Sequence, residues 1–94
     1  MQTRSNPLGI TVGELSAEAR QVTGSNGVRV AEVIDGPGAD AGIAAGDIIV
    51  SLNRREIGSL EDFNDVISLL PESGFVPIRI LREGRGTTLA LEIN

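Results

Sequence analysis

"GPGADAGIAAGDIIVSLN", residues 36–53, holds a breaker, a helical turn, a tight bend and a buried strand in immediate succession. Gly36-Pro37-Gly38 stops whatever precedes it. "ADAGI" (39–43) has room for one turn of helix, and Gly42 falls where such a turn ends in a left-handed residue. Gly46-Asp47 bends the chain again, with the aspartate placed to accept backbone N–H groups. "IIVSL" (48–52) is an uninterrupted apolar run of strand length, which suits a strand buried on both faces. Asn53 then tolerates positive φ in a hairpin-like turn, "NRR", and "REI" (55–57) returns as a brief strand.

Working outward, "VRVAEVI" (28–34) reads as a strand whose apolar pattern is mixed rather than strictly alternating, and "TGSNG" before it reads as loop. "SAEARQ" (16–21), opened by Ser16, suits one or two helical turns, and "ITVGEL" (10–15) a β-branched strand. Downstream, residues 59–70, "SLEDFNDVISLL", carry the plainest helix. Ser59 is the N-cap, Asp62 stands at N3, and Leu60, Phe63, Val66, Ile67 and Leu70 form one apolar stripe. Pro71 and Gly74 end it. "VPIRILR" (76–82) and "TTLALEI" (87–93) flank "EGRG" as a hairpin. Five or six short strands with helices of unequal length make an α+β domain, a small curled sheet or partial barrel capped by one long and one short helix.

Composition narrows the chemistry. The chain has 94 residues, enough for one domain, with residues 1–6 reading as a linker ahead of a domain at 7–94. A chain of this length buries about 60–65% of its unfolded surface, so one modest core is feasible. Two Phe and neither Trp nor Tyr leave an aliphatic core and no stacking platform for bases. All eight cations are arginines, and thirteen acids bring the net charge to −5. No basic cluster invites nucleic acid or anionic lipid, and no run reaches the length of a membrane span.

With no Cys and no His, thiolate and Ser–His nucleophiles and nearly all transition-metal sites are excluded. Glu61, Asp62 and Asp65 read as solvated acids of a helix start, so no catalytic residue, metal or cofactor is expected.

Three stretches now carry a resemblance. "PLGI" (Pro7, Leu8, Gly9, Ile10) resembles the carboxylate-binding loop of PDZ domains. Residues 36–53 resemble the internal signature of bacterial protease PDZ domains, with Gly38 and Ala45 where the family often has Ala and Pro. "REIGSLEDFNDVISLL" resembles the short strand and groove helix that follow, with Arg54 just ahead where a glycine is usual. In chain order the match is to the circularly permuted form of HtrA/DegP-type serine proteases, and "LGITVGELSAEARQ" looks most like the second, C-terminal PDZ domain of a MucD-like member.

The resemblance implies a binding site. Pro7 fixes its φ and donates no hydrogen bond, and Gly9 can adopt a conformation denied to other residues. The amides of Leu8, Gly9 and Ile10 are then expected to converge on a peptide carboxylate, with Arg4 as a further contact. Ile10, Thr11 and Val12 would pair with the peptide as an added strand, and Leu60, Asn64 and Ile67 would form the helix wall. Phe63, Val66 and Leu70 are assigned to the core. On the residues alone Gly9 also reads as a plain turn glycine, Leu8 and Ile10 as core, and Asn64 as a solvated helix residue.

The function so implied is non-catalytic capture of C-terminal or unfolded segments, in a periplasmic protein quality-control protease. Partners would be those segments and the protease and other PDZ domains of the parent. The isolated domain is expected to be a monomer and the parent a homo-oligomer. The alternatives are an assembly module with an unused groove, or the PDZ domain of a site-2 or C-terminal processing protease.

Overall fold

The computed structural model describes residues 9–14, 21, 27–71 and 73–93. Strand β1 is Ile10–Glu14 and β2 is Val28–Val33; helix α1 is Pro37–Ala41. Strands β3 (Ile48–Leu52) and β4 (Arg55–Glu56) precede helix α2 (Leu60–Ser68), and the paired strands β5 (Gly74–Arg82) and β6 (Arg85–Ile93) complete the order. All pairings are antiparallel, in the order β1-β2-β3-β5-β6 with β4 added to β3. Among the described elements a six-stranded sheet carries one longer and one shorter helix, and the α+β class is the one expected. The helix read over 16–21 falls outside the described residues except for Gln21, and the turn of helix read over 39–43 is α1, which starts two residues earlier, at Pro37, and ends at Ala41.

The motif at 36–53 folds as its chemistry dictates. Pro37 occupies the first turn of α1, where a missing N–H costs nothing. Gly42 ends α1 at φ 99°, and the Ile43 N–H reaches back to the Gly38 carbonyl at 3.0 Å, burying Ile43 as the helix closes. The Gly46-Asp47 bend is fastened to β2. Gly46 N–H donates to the Val30 carbonyl and Val30 N–H to the Asp47 carbonyl, each at 2.8 Å. β3 then runs through the middle of the sheet. β2 and β4 share one of its edges, and β5 takes the other.

Both hairpin turns are two residues long with positive φ at both central positions, the twist that matches right-handed strands. Asn53 and Arg54 (φ 53° and 66°) join β3 to β4, and Glu83 and Gly84 (φ 54° and 82°) join β5 to β6. The second turn is therefore tighter than the four residues "EGRG" suggest. Arg85 and Gly86 already pair with Arg82 and Leu81, and β5 begins at Gly74.

α2 starts as read: the Ser59 Oγ accepts from the Asp62 N–H, and Asp62 Oδ2 accepts from the Gly58 N–H at 2.9 Å. It ends two residues short of the sequence reading. Leu69 and Leu70 donate to Val66 and Ile67, three residues back, and Pro71 disfavours helical geometry at the residue before it.

The mixed pattern of β2 has a structural cause. Thr11 pairs with Glu32 but Val12 pairs with Val30, so Ala31 is an extra residue and β2 carries a bulge. Before it, Val28 and Val30 face the core. After it the parity reverses, leaving Glu32 exposed, Val33 half-buried and Ile34 turned out to solvent. One aliphatic core joins Ile10, Val12, Val28, Val30, Ile49, Leu52, Phe63, Ile78, Ile80 and Leu91, with Phe63 its only aromatic.

Candidate peptide-binding groove

β1 is the terminal strand of the sheet, and α2 lies against it. These are the two elements the resemblance assigns to the walls of a groove, and β1 begins just after Gly9. At Gly9 the backbone takes φ 73°, and the Gly9 carbonyl accepts a hydrogen bond from the Ile34 N–H at 2.8 Å. A Cβ at Gly9 would lie 3.1 Å from the Asp35 carbonyl oxygen and 3.3 Å from that of Ile34, so both torsion and space call for glycine.

Along β1 the side chains alternate. Ile10 and Val12 are buried in the core, and both already take part in further interactions; Thr11 and Gly13 are half-buried on the other face. On α2, Phe63 and Val66 are buried, Leu60 and Ile67 are half-buried against the core, and Asn64 is exposed. Leu70, beyond the helix end, is half-buried as well. Thus Leu60, Asn64 and Ile67 stand on the less buried shoulder of α2. Of the loop residues, Gly9 and Ile10 are placed as above, whereas Arg4, Pro7 and Leu8 lie outside the described residues.

Two features escaped the sequence reading. Ile34 is 55% exposed, and its Cγ1 lies 3.4 Å from a Cβ built on Gly9, so an exposed aliphatic side chain stands beside that glycine. Its place in an apolar strand run disguised it. Arg82 binds Asp47, the one buried charged residue among those described, with Nε and Nη2 at 2.9 and 2.6 Å from the two carboxylate oxygens. The Asp47 carboxylate also accepts from the Ala44 N–H at 2.9 Å, while Arg82 Nη2 donates to the Gly42 carbonyl at 2.7 Å. Burial pushes the Asp47 carboxyl up, but the hydrogen bonds from Arg82 and Ala44 and the Arg82 charge outweigh it, and the net pKa is lowered. That cluster braces the scaffold away from the groove. A separate shallow cavity of about 330 Å³, between β4 and α2, is lined by Arg55, Glu56, Asp62, Asp65 and Val66.

Comparison with known proteins identifies the family of the fold. The probable periplasmic serine endoprotease DegP-like of Pseudomonas putida is 38% identical over 90 residues, which are 95% of this chain and 19% of that protein. The DegP-like relative of Ectopseudomonas mendocina is 40% identical over 90 residues, again 95% of this chain and 19% of the other. The chain therefore spans 19% of the length of these relatives. Among solved structures, a variant of the HtrA-type protease AlgW with a decapeptide superposes with a TM-score of 0.84 at 27% identity, over 93% of this chain and 28% of that one. The HtrA3 PDZ domain bound to a phage-derived ligand gives 0.74 at 22% identity, over 90% and 81% of the two chains, a likeness of fold. A family model described as PDZ domain matches residues 7–93, and the chain belongs to the PDZ domain family.

Proposed function

We propose that this chain captures protein segments ending in a free carboxylate by adding them as a strand beside β1, and that it does so as a module of a periplasmic HtrA/DegP-type serine protease. The observation that carries the reading is the terminal position of β1, with α2 alongside and a positive-φ glycine, Gly9, immediately before the strand. The turn at Leu8 and Gly9 receives the carboxylate, assisted by Arg4, and the shoulder of Leu60, Asn64 and Ile67 receives inward ligand side chains. Because Ile10 and Val12 are already engaged, binding exchanges interactions along β1 rather than filling vacant groups. The solved AlgW structure with its decapeptide supports peptide capture, and the periplasmic names of the relatives support the location.

No step of bond cleavage belongs to this domain, whose sequence has neither Cys nor His to activate a nucleophile. Its task is delivery to a protease domain elsewhere in the parent. Dissociation constants between roughly micromolar and millimolar are expected for so short a groove, and several copies in an oligomer raise avidity.

The test is an NMR titration of the 94-residue chain with a peptide ending in a large aliphatic residue, and with its C-terminal amide. Shifts at Gly9–Gly13 and Asn64–Ile67 with the free acid alone are expected. Absence of shifts with either peptide would instead favour a domain–domain assembly role.

A further inference from the structure

On the outward face of β1, Thr11 and Gly13 are the residues between the ligand position and β2. A Cβ built at Gly13 meets nothing within 4 Å, so the sheet surface has a notch there. Across that notch, in register with Gly13, stands Arg29 of β2. Arg29 is exposed, and its cross-strand neighbour on the other side is half-buried Ile48, which offers it no charge. The ion pair between Asp47 and Arg82 is the only one among the described residues, so Arg29 has no carboxylate partner there.

The register of an added strand decides what reaches that notch. This step rests on the peptide-capture reading above. With the ligand antiparallel to β1 and its carboxylate at the turn before Ile10, the terminal residue runs beside Ile10. The residues one, two and three places earlier run beside Thr11, Val12 and Gly13. Alternation sends the terminal residue and the one two places earlier toward α2, and the other two outward. The outward residue beside Thr11 is separated from β2 by the threonine side chain. The one beside Gly13 is not. Two strand spacings, about 9.6 Å, separate that ligand position from Arg29, and an extended arginine and an acidic side chain together bridge this distance.

We infer that the Gly13 notch makes Arg29 a specificity-determining residue that selects an acidic side chain three positions before the ligand's C-terminus. The pair is solvent-exposed, so its effect is modest and salt-sensitive.

Three peptides differing only at that position (Glu, Gln, Lys) are titrated by NMR into the 94-residue chain at low salt, with a spectrum of each variant verifying its fold. Glu is expected to bind about 2–5-fold more tightly than Gln, and Lys more weakly than Gln. In Arg29→Gln the Glu preference disappears, in Arg29→Glu it inverts toward Lys, and Gly13→Thr, which fills the notch, reduces it. An unchanged Glu:Gln ratio in Arg29→Gln overturns the inference while leaving peptide capture standing. Failure of all three peptides to bind the wild-type chain overturns both.

Discussion

Asp47 and Arg82, 35 residues apart in sequence, are joined by two parallel hydrogen bonds, and the same guanidinium holds the carbonyl of Gly42, which caps α1. The pair ties three places together: the bend that enters β3, the end of α1 and the end of β5. Bidentate arginine–carboxylate geometry of this kind fixes orientation as well as distance. Arg82 stays partly open to water while Asp47 does not, so the aspartate is the member whose isolation is costly.

Asp47→Ala is therefore expected to destabilise the domain by about 1–3 kcal/mol at neutral pH, because the Ala44 N–H and Arg82 lose their acceptor. The pH dependence follows from the lowered pKa of Asp47. A carboxyl whose folded value lies below its unfolded value contributes its full stabilisation above the ordinary value of 3.8, and loses it as pH falls through the lower folded value. Urea unfolding at pH 7 and at pH 3 checks this. Asp47→Asn should lose less stability than wild type between the two conditions; an equal loss removes Asp47 from the account of acid sensitivity.

Gly9→Ala combines a left-handed backbone with a contact of 3.1 Å to the Asp35 carbonyl oxygen, tighter than most Cβ contacts. The strain is about 1–3 kcal/mol. On the proposed peptide capture, affinity for a free-carboxylate peptide should fall as well, whereas Gly13→Ala, with open space around it, should leave stability nearly unchanged. Chemical denaturation alongside the peptide titration separates the two effects.

Arg54→Gly is expected to stabilise the chain. Arg54 holds φ 66° in the β3–β4 turn, a conformation that costs a side-chain-bearing residue about 1–2 kcal/mol and costs glycine little. Part of that gain is offset by glycine's larger unfolded-state entropy, leaving up to about 1 kcal/mol. A rise in Tm checks it, and a fall would mean that the arginine side chain contributes packing or charge not reflected in its exposure.

The two faces of α2 should separate stability from binding. Phe63→Ala removes the largest buried side chain and should cost about 3–5 kcal/mol. Ile67→Ser acts on a half-buried position and should weaken peptide binding more than it weakens the fold, and Asn64→Ala should leave Tm within about 0.5 kcal/mol-equivalent of wild type. Thermal melts paired with titrations of the same variants supply both quantities.

Local chemistry made much of this legible in the sequence. The run at 48–52 is β3 to the residue, Gly42 is left-handed, Ser59 caps α2 through Asp62, and Asn53 has the positive φ its turn requires. What stayed hidden depends on residues distant in the chain. The bulge at Ala31 is a matter of how β2 registers on β1, so the outward placing of Ile34 cannot be read from residues 28–34 alone. The partner of Asp47 is likewise chosen by sheet order, which brings Arg82 across from the bend. Helix and hairpin ends shifted by about two residues, where proline effects and turn tightness compete with periodicity. In the candidate site, the roles of the glycine at position 9 and of the shoulder of α2 are implied by the family resemblance rather than by residue type alone, whereas the notch at Gly13 and its alignment with Arg29 emerge only from strand pairing.

The central place of β3 carries a consequence for motion. Its backbone is bracketed by three different strands, from segments as far apart as residues 28 and 81, so it cannot open without undoing most of the domain. Deuterium should thus enter the amides of Ile49 and Leu52 last, on the timescale of whole-molecule unfolding, while β1 exchanges through smaller, cheaper openings. Such a gradient leaves the outer margin of the sheet able to breathe while the spine behind it stays closed.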